Sequence, residues 1–139
     1  LVPSIIMNDL AQQWLNQSRE DLATAKVLFD AQRFGPCAFY CQQAAEKALK
    51  AAIYESGDKP WGHSLPSLLD QVCEVWQVDL ADAPSTEVDE HYMRPRYPDA
   101  RSLAYVEYDS GTAEEAQQQA QAILSFSRER VLHVGEDSN

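Results

Sequence analysis

The chain has 139 residues and a net charge of −11, from 11 lysines and arginines against 22 aspartates and glutamates. A chain of this length forms one domain that needs neither disulfides nor a metal for stability. Its hydrophobic fraction of 45% is typical of a globular protein, and no window approaches the ~18 apolar residues of a membrane span, so we expect no membrane association. The acidic surface repels phosphate backbones, so contact with nucleic acid requires a local basic patch.

The cysteines are an odd number and lack the spacing of a zinc site. Cys37, Cys41 and Cys73 form no C-x-x-C pair, and no H-x-x-x-H pattern accompanies them. We interpret them as buried thiols of a cytoplasmic protein, and we predict no metal and no other cofactor.

The first predicted element is a helix from Asn8, its N-cap, to about Arg33. One face of this helix carries apolar or small residues at steps of four and three: Ala11, Leu15, Ser18, Leu22, Ala25 and Phe29. Gly35-Pro36 ends the pattern. Residues 1–7 lack the features of a signal peptide, and we expect them to form a tail in which Met7 resembles a natural start.

Two further helices follow along the chain. The second is predicted to begin at Pro36 and to stop at Gly57. Its inward stripe consists of small residues that let neighbouring helices approach closely: Ala38, Cys41, Ala45, Ala48 and Ala52. Ser64 is the predicted N-cap of the third helix. The apolar face of that helix comprises Leu65, Leu68, Leu69, Val72, Val75 and Trp76.

The last part of the chain is predicted to hold a short helix over 86–93, a loop, and a long final helix. Two prolines exclude a regular helix over 94–99, and we expect 100–109 to be a loop. Thr112 and Glu115 fit a capping box at the start of the final helix. Its inward stripe is predicted to comprise Ala113, Ala116, Ala120, Leu124, Ser127 and Val131.

These elements predict an all-α fold, an antiparallel up-and-down bundle of four long helices plus a short one. The predicted domain covers 8–134, and 135–139 form a second tail. The sequence contains no P-loop, Rossmann glycine pattern, G-x-S-x-G or His-Glu-x-x-His motif. Val27 and Leu28 fall off the inward face of the first helix, which favours a homodimer that covers them.

A basic cluster lies in the proline-rich loop. Arg94, Arg96 and Arg101 fall within eight residues of one another, beside the ring of Tyr97. Arginine forks match phosphate oxygens and rings stack on bases, so this loop is a candidate nucleotide or RNA contact. Alternatively, an arginine pairs with Asp99 and fixes the loop to the bundle.

Three other polar positions are candidates for a ligand site. Lys47 and Lys50 share one side of the second helix with Gln43 and Tyr54. They form either a solvated face or an extension of the arginine loop into one basic patch. His63 directly precedes an N-cap, where it serves either as a loop residue bonded to the cap or as a ligand.

Arg128 and His133 are separated by four residues near the end of the last helix. In a ribonuclease, a histidine acts as general acid or base while an arginine stabilises the charged phosphorane. Alternatively, the spacing is a coincidence at a fraying helix end.

The order of three motifs resembles the HEPN domain family (higher eukaryotes and prokaryotes nucleotide-binding). Residues 39–50 read F-x-x-Q-Q-A-x-E-K-x-L-K, followed by H-S-L at 63–65 and R-Y-P-D at 96–99. The resemblance covers about residues 8 to 133. It implies an up-and-down helical bundle that forms a homodimer. It also implies a minimal nucleotidyltransferase as partner, as in toxin–antitoxin or defence pairs.

Some HEPN proteins are metal-independent ribonucleases with an R-x(4–6)-H motif at the dimer cleft, and this sequence departs from them. The region from Arg94 to Arg101, where the motif is expected, has no histidine downstream, and the Arg128–His133 pair lies in a different position. We therefore predict a non-catalytic nucleotide- or RNA-binding module, with a metal-independent ribonuclease using Arg128 and His133 as the alternative. The predicted binding residues are Lys47, Lys50, His63, Arg94, Arg96, Tyr97 and Arg101.

Overall fold

The computed structural model describes residues 4–92 and 108–137, and for 4–9, 92 and 132–137 it describes the backbone alone. Every regular element in the described part of the chain is a helix, which confirms the all-α prediction. The long helices are α1 (Ser4–Asp30), α2 (Phe34–Glu55), α3 (Leu65–Trp76) and α4 (Ser110–Asp137). Two 3₁₀ segments, Leu80–Asp82 and Glu87–Tyr92, lie between α3 and α4, and the second coincides with the predicted short helix.

Helices α1 and α2 form an antiparallel pair. Near their connection, the rings of Phe29 and Phe34 meet edge to face with centroids 5.6 Å apart. Near the opposite end, Trp14 stacks on Tyr54 at 6.1 Å. Gln32 makes the tight reversal possible by adopting a left-handed backbone conformation with φ of 61°.

The core is built around the small residues of α2. Every residue of its predicted stripe is fully buried, which lets α1, α3 and α4 pack closely against this central helix. Larger side chains fill the space between the helices: Leu15, Leu49, Ile53, Leu65, Leu68 and Ile123. The three cysteines are buried free thiols, as predicted. The Cys41 pKa is raised by its hydrogen bond to Cys37 and by burial, so this thiol stays protonated.

Helix α4 begins at the same end of the bundle as α2. In the first half of α2, the Gln42 side chain donates a hydrogen bond to Asp89 in the second 3₁₀ segment, at 3.3 Å. In the same segment, His91 Nδ1 lies 2.9 Å from the Tyr108 hydroxyl, just before α4. Because α2 and α4 start at one end, both run opposite to α1.

Helix α3 is held against α2 and the loop before it. Trp76 Nε1 donates to the carbonyl of Ala52 at 2.8 Å. The buried Gln71 side chain accepts from the Trp61 amide at 2.9 Å and donates to the Lys59 carbonyl at 2.6 Å. These bonds satisfy the backbone of the 57–64 connection, which has no regular structure of its own.

Two predicted helix starts are wrong and one is confirmed. Helix α1 begins at Ser4, so residues 4–7 form its first turn and Asn8 lies inside it rather than at its N-cap. Helix α2 begins at Phe34, two residues before Pro36, because Pro36 still falls in the first turn, where its missing amide is not needed. The Ser64 hydroxyl accepts a hydrogen bond from the Ser67 amide at 3.2 Å, which confirms it as the N-cap of α3.

The predicted capping box of the last helix is also wrong. Asp109 precedes α4, and its Oδ1 accepts from the amide and the hydroxyl of Thr112 at 2.8 and 2.9 Å. These hydrogen bonds hold the pKa of the Asp109 carboxyl below its usual value. At the other end, the helix continues through Gly135 to Asp137, so the glycine does not end it.

Candidate functional site

The two lysines predicted as part of a basic patch are each paired with an acid. Lys47 Nζ lies 2.7 Å from Asp21 of α1, with 24% and 8% of the two side chains exposed. Lys50 Nζ lies 2.8 Å from Glu46, one turn earlier on α2. Both charges are therefore locally neutralised. The two alternatives from the sequence, a solvated face and a basic patch shared with the arginine loop, stay predictions.

The surrounding polar residues join the two helices. Ser18 is fully buried and donates to the Ala44 carbonyl at 2.6 Å. The ammonium group of Lys50 also lies 5.3 Å from the ring centroid of Trp14. Lys47 and Lys50 of α2 therefore both interact with α1, the first through an ion pair and the second through the ring of Trp14.

His63 lies in an acidic environment. It is exposed and lines a cleft of about 620 Å³, the α2/α3 cleft, whose other lining residues are Gln42, Gln43, Glu46, Ser64, Asp89 and Glu90. Among the described residues that line this cleft, three are carboxylates and none is a lysine or arginine. This part of the cleft repels a phosphate, so the described surface does not support His63 as an anion ligand. The role of His63 as a ligand stays a prediction.

The predicted arginine loop cannot be placed relative to these residues. Arg94, Arg96, Tyr97 and Arg101 lie outside the described residues. Their contacts with Lys47, Lys50 or a ligand therefore stay predictions.

A different cationic surface lies between α1 and α4. This α1/α4 groove has a volume of about 720 Å³. It is lined by Arg19, Leu22, Ala23 and Lys26 of α1 and by Gln117, Gln118, Gln121, Leu124 and Arg128 of α4. All three charged residues in the described part of the lining are cationic. On a chain of net charge −11, this is the local reversal of sign that an anionic ligand requires.

The charges of the groove are available to a ligand. Lys26 pairs with Asp30 at 3.5 Å, but 71% and 63% of the two side chains are exposed, so the pair is weak. Arg19 donates to the neutral Asn16 at 3.2 Å. Within the described part of the chain, neither Arg19 nor Arg128 forms an ion pair.

The helix geometry gives the groove two charged ends. Arg19 and Lys26 are seven residues apart on one helix face, which corresponds to two turns and about 10 Å. Because α1 and α4 are antiparallel, Arg128 lies toward the Arg19 end and Gln117 toward the Lys26 end. Leu22 and Leu124 form the apolar part of the wall between them.

Arg19 and Lys26 are absent from the sequence-based site. Local patterns identify a lysine and an arginine as ordinary surface charges of an amphipathic helix, and only the packing of α1 on α4 brings them beside Arg128. The sequence singles out Arg128 for its spacing to His133, and the structure places it, exposed, in the groove. His133 lies in the last turns of α4. Among the described residues, no group of three or more His, Cys, Asp or Glu side chains is arranged to hold a metal.

The family follows from comparison with known sequences. The HEPN domain family profile matches residues 11–130, which is most of the chain. The chain belongs to the HEPN domain family. The resemblance inferred from the three motifs is thereby confirmed.

Individual known proteins are similar to this chain over most of its length. A protein of Methanocaldococcus jannaschii named "Putative toxin MJ1304" is 27% identical over 131 residues, covering 86% of each chain. The crystal structure of TT1696 from Thermus thermophilus has a TM-score of 0.65 at 31% identity, covering 86% of this chain and 97% of that one. ST0689, an archaeal HEPN homologue, has a TM-score of 0.63 at 25% identity, covering 87% and 97%.

Proposed function

We propose that this HEPN protein is a non-catalytic module that binds nucleotide or RNA. The observation that carries the proposal is the α1/α4 groove, whose charged lining residues Arg19, Lys26 and Arg128 are all cationic. Guanidinium and ammonium groups are the usual partners of phosphate oxygens. The negative charge of the whole chain gives no long-range attraction, so affinity depends on these short-range contacts.

The test is a titration of fluorescein-labelled single-stranded RNA, and of ATP, into the wild-type protein and Arg128→Gln. We expect the substitution to weaken binding by about 1–3 kcal/mol, the range for a hydrogen bond to a charged group. Lys59→Gln removes the same charge from an exposed position outside the groove and serves as the control. If the wild type binds neither the RNA nor ATP, the proposal is overturned.

The arginine loop is proposed as a second anion contact. If Arg96 binds phosphate, Arg96→Ala weakens nucleotide affinity and leaves the melting temperature nearly unchanged. If Arg96 instead pairs with Asp99, the substitution lowers the melting temperature and nucleotide binding does not change. Measuring both quantities on the same two proteins separates these outcomes.

The partner is proposed to be a minimal nucleotidyltransferase, in a toxin–antitoxin or defence pair acting in the cytoplasm. Membership of the HEPN family and the toxin name of the M. jannaschii relative support this setting. Co-expression with a nucleotidyltransferase encoded beside this chain, followed by size-exclusion chromatography, is the test. Separate elution of the two proteins would contradict the pairing.

A ribonuclease is the second candidate, because the exposed Arg128 lines a cationic groove and precedes His133 at the required spacing. The non-catalytic proposal predicts that labelled RNA remains intact during prolonged incubation with purified protein. RNA cleavage that is lost in His133→Ala would establish the enzyme instead.

A further inference from the structure

We infer that the α1/α4 groove binds one single-stranded RNA segment lengthwise, with phosphate contacts at both of its ends. The inference rests on the proposed function and deepens it, because it names the class of nucleic acid and the residues that hold it. The phosphate contacts are assigned to Arg19 and Arg128 at one end of the groove and to Lys26 at the other.

The spacing of the cationic residues favours a ligand with more than one phosphate. The backbone positions of Arg19 and Lys26 are about 10 Å apart along α1, well beyond the separation of two oxygens on one phosphate. A mononucleotide with one phosphate therefore engages only one end. A chain with successive phosphodiesters engages both ends at once, and the second contact forms at high effective concentration.

The shape and the charge of the groove favour one strand over a duplex. The groove lies between two packed helices, whose axes are separated by about 8–10 Å, and it holds about 720 Å³. A duplex presents two phosphate backbones and much more negative charge to a surface that carries three cations and belongs to a chain of net charge −11. A single flexible backbone follows the groove and keeps its other charges in solvent.

The α4 wall adds groups that distinguish RNA. Gln118 forms no hydrogen bond among the described residues, and Gln117 makes one long bond to the Ala113 carbonyl, at 3.4 Å. Their amides both donate and accept, so they can pair with ribose 2′-hydroxyls and with the edges of unpaired bases. No aromatic ring lines the described groove, so base stacking does not contribute, and we expect little sequence preference.

Asp30 supplies a test of opposite sign. Its carboxylate lies 3.5 Å from Lys26 and is 63% exposed. Removing the charge of Asp30 leaves the Lys26 ammonium without its competitor. Asp30→Asn is therefore expected to strengthen RNA binding, whereas Lys26→Gln weakens it.

The experiment measures binding of a labelled, unstructured RNA hexamer as salt is raised from about 50 to 200 mM. Single strands lose affinity with a log–log slope of about −0.7 per neutralised phosphate, so three contacts predict a slope of about −2. Lys26→Gln and Arg19→Gln are each expected to reduce the slope to about −1.4 and to weaken binding about five- to tenfold. Lys59→Gln, the matched control, leaves slope and affinity unchanged.

The outcomes separate the groove from the broader proposal. If the wild type binds the hexamer but Arg19→Gln and Lys26→Gln leave affinity and slope unchanged, the groove assignment is overturned while RNA binding stands. If the wild type binds no RNA, the proposed function itself fails. Uridine monophosphate, or a duplex of equal length, binding as tightly as the hexamer would also overturn the single-strand assignment. Far-UV circular dichroism confirms that each variant is folded.

Discussion

The Lys47–Asp21 ion pair shows how a residue that is a surface cation by pattern becomes part of the packing. Periodicity places Lys47 on the polar side of α2, but its counter-ion comes from α1, and Asp21 is only 6% exposed. Whether two residues of different helices meet depends on how the helices are rotated against each other. The periodicity of one helix gives no information about that rotation. The sequence therefore predicted the helices, whereas the ion pair between them is visible only in the structure.

Breaking this pair is expected to destabilise the protein strongly. Lys47→Met leaves the Asp21 carboxylate buried without its partner, so the free energy of unfolding should fall by about 3 kcal/mol. Lys26→Met breaks an exposed ion pair and should cost less than about 1 kcal/mol. Urea unfolding of both variants measures the difference. A small and equal decrease in the free energy of unfolding would contradict the burial of the Lys47–Asp21 pair.

At the level of single elements, helix ends were predicted less reliably than helix faces. Thr112 and Asp109 both have side chains that cap helices, and they lie three residues apart, so either fits the start of α4. Asp109 becomes the cap because its carboxylate receives two hydrogen bonds from Thr112. The inward stripe of α4 did not depend on this choice, and its residues are buried as predicted.

The Asp109 cap predicts a pH-dependent contribution to stability. Because hydrogen bonding lowers the pKa of Asp109 in the folded state, its contribution is present above the unfolded-state pKa and is lost as pH falls through the folded-state pKa. Asp109→Ala should lower the melting temperature at pH 7, and the gap from wild type should narrow as the pH falls below the unfolded-state pKa. Asp109→Asn retains a good cap and serves as control. A gap that is independent of pH would contradict this role.

The end of α3 offers a stabilising substitution. Gln77 caps this helix in a left-handed conformation with φ of 55°, where a residue with a Cβ is strained and glycine is not. Gln77→Gly should raise the free energy of unfolding by up to about 1 kcal/mol. Gln12→Gly, inside α1, should lower it by about 1 kcal/mol. Thermal unfolding of both variants measures the difference. A lower melting temperature in both would show that the contacts of the Gln77 side chain outweigh the strain of its backbone.

At the scale of the whole molecule, the fold was largely predictable and the groove was not. Stripes such as Ala38 to Ala52 encode burial locally, so each helix is visible in its own sequence. The groove combines Arg19 with Arg128, from opposite ends of the chain, and requires the antiparallel packing of α1 on α4. No local pattern joins those two residues.

Exposed apolar residues on α1 support the prediction of a homodimer. On α1, Leu28 packs against the core, contrary to the expectation that it needs a dimer to cover it. Val27 is 67% exposed and Leu10 is 37% exposed. A two-fold interface that covers them predicts a sedimentation mass of about twice 15.6 kDa at micromolar concentration. Val27→Asp should shift the protein toward the monomer. A single species of 15.6 kDa for the wild type would contradict the dimer.

The most direct test of the central claim is a map of the RNA-binding surface by amide chemical shifts. A ¹⁵N-labelled sample is titrated with the unstructured RNA hexamer at low salt. We expect the largest shifts on the amides of Arg19–Lys26 and Gln117–Arg128, whereas amides around Gln42 and His63 in the acidic α2/α3 cleft remain in place. Shifts concentrated in that cleft, or no shifts along α1 and α4, would contradict the central claim.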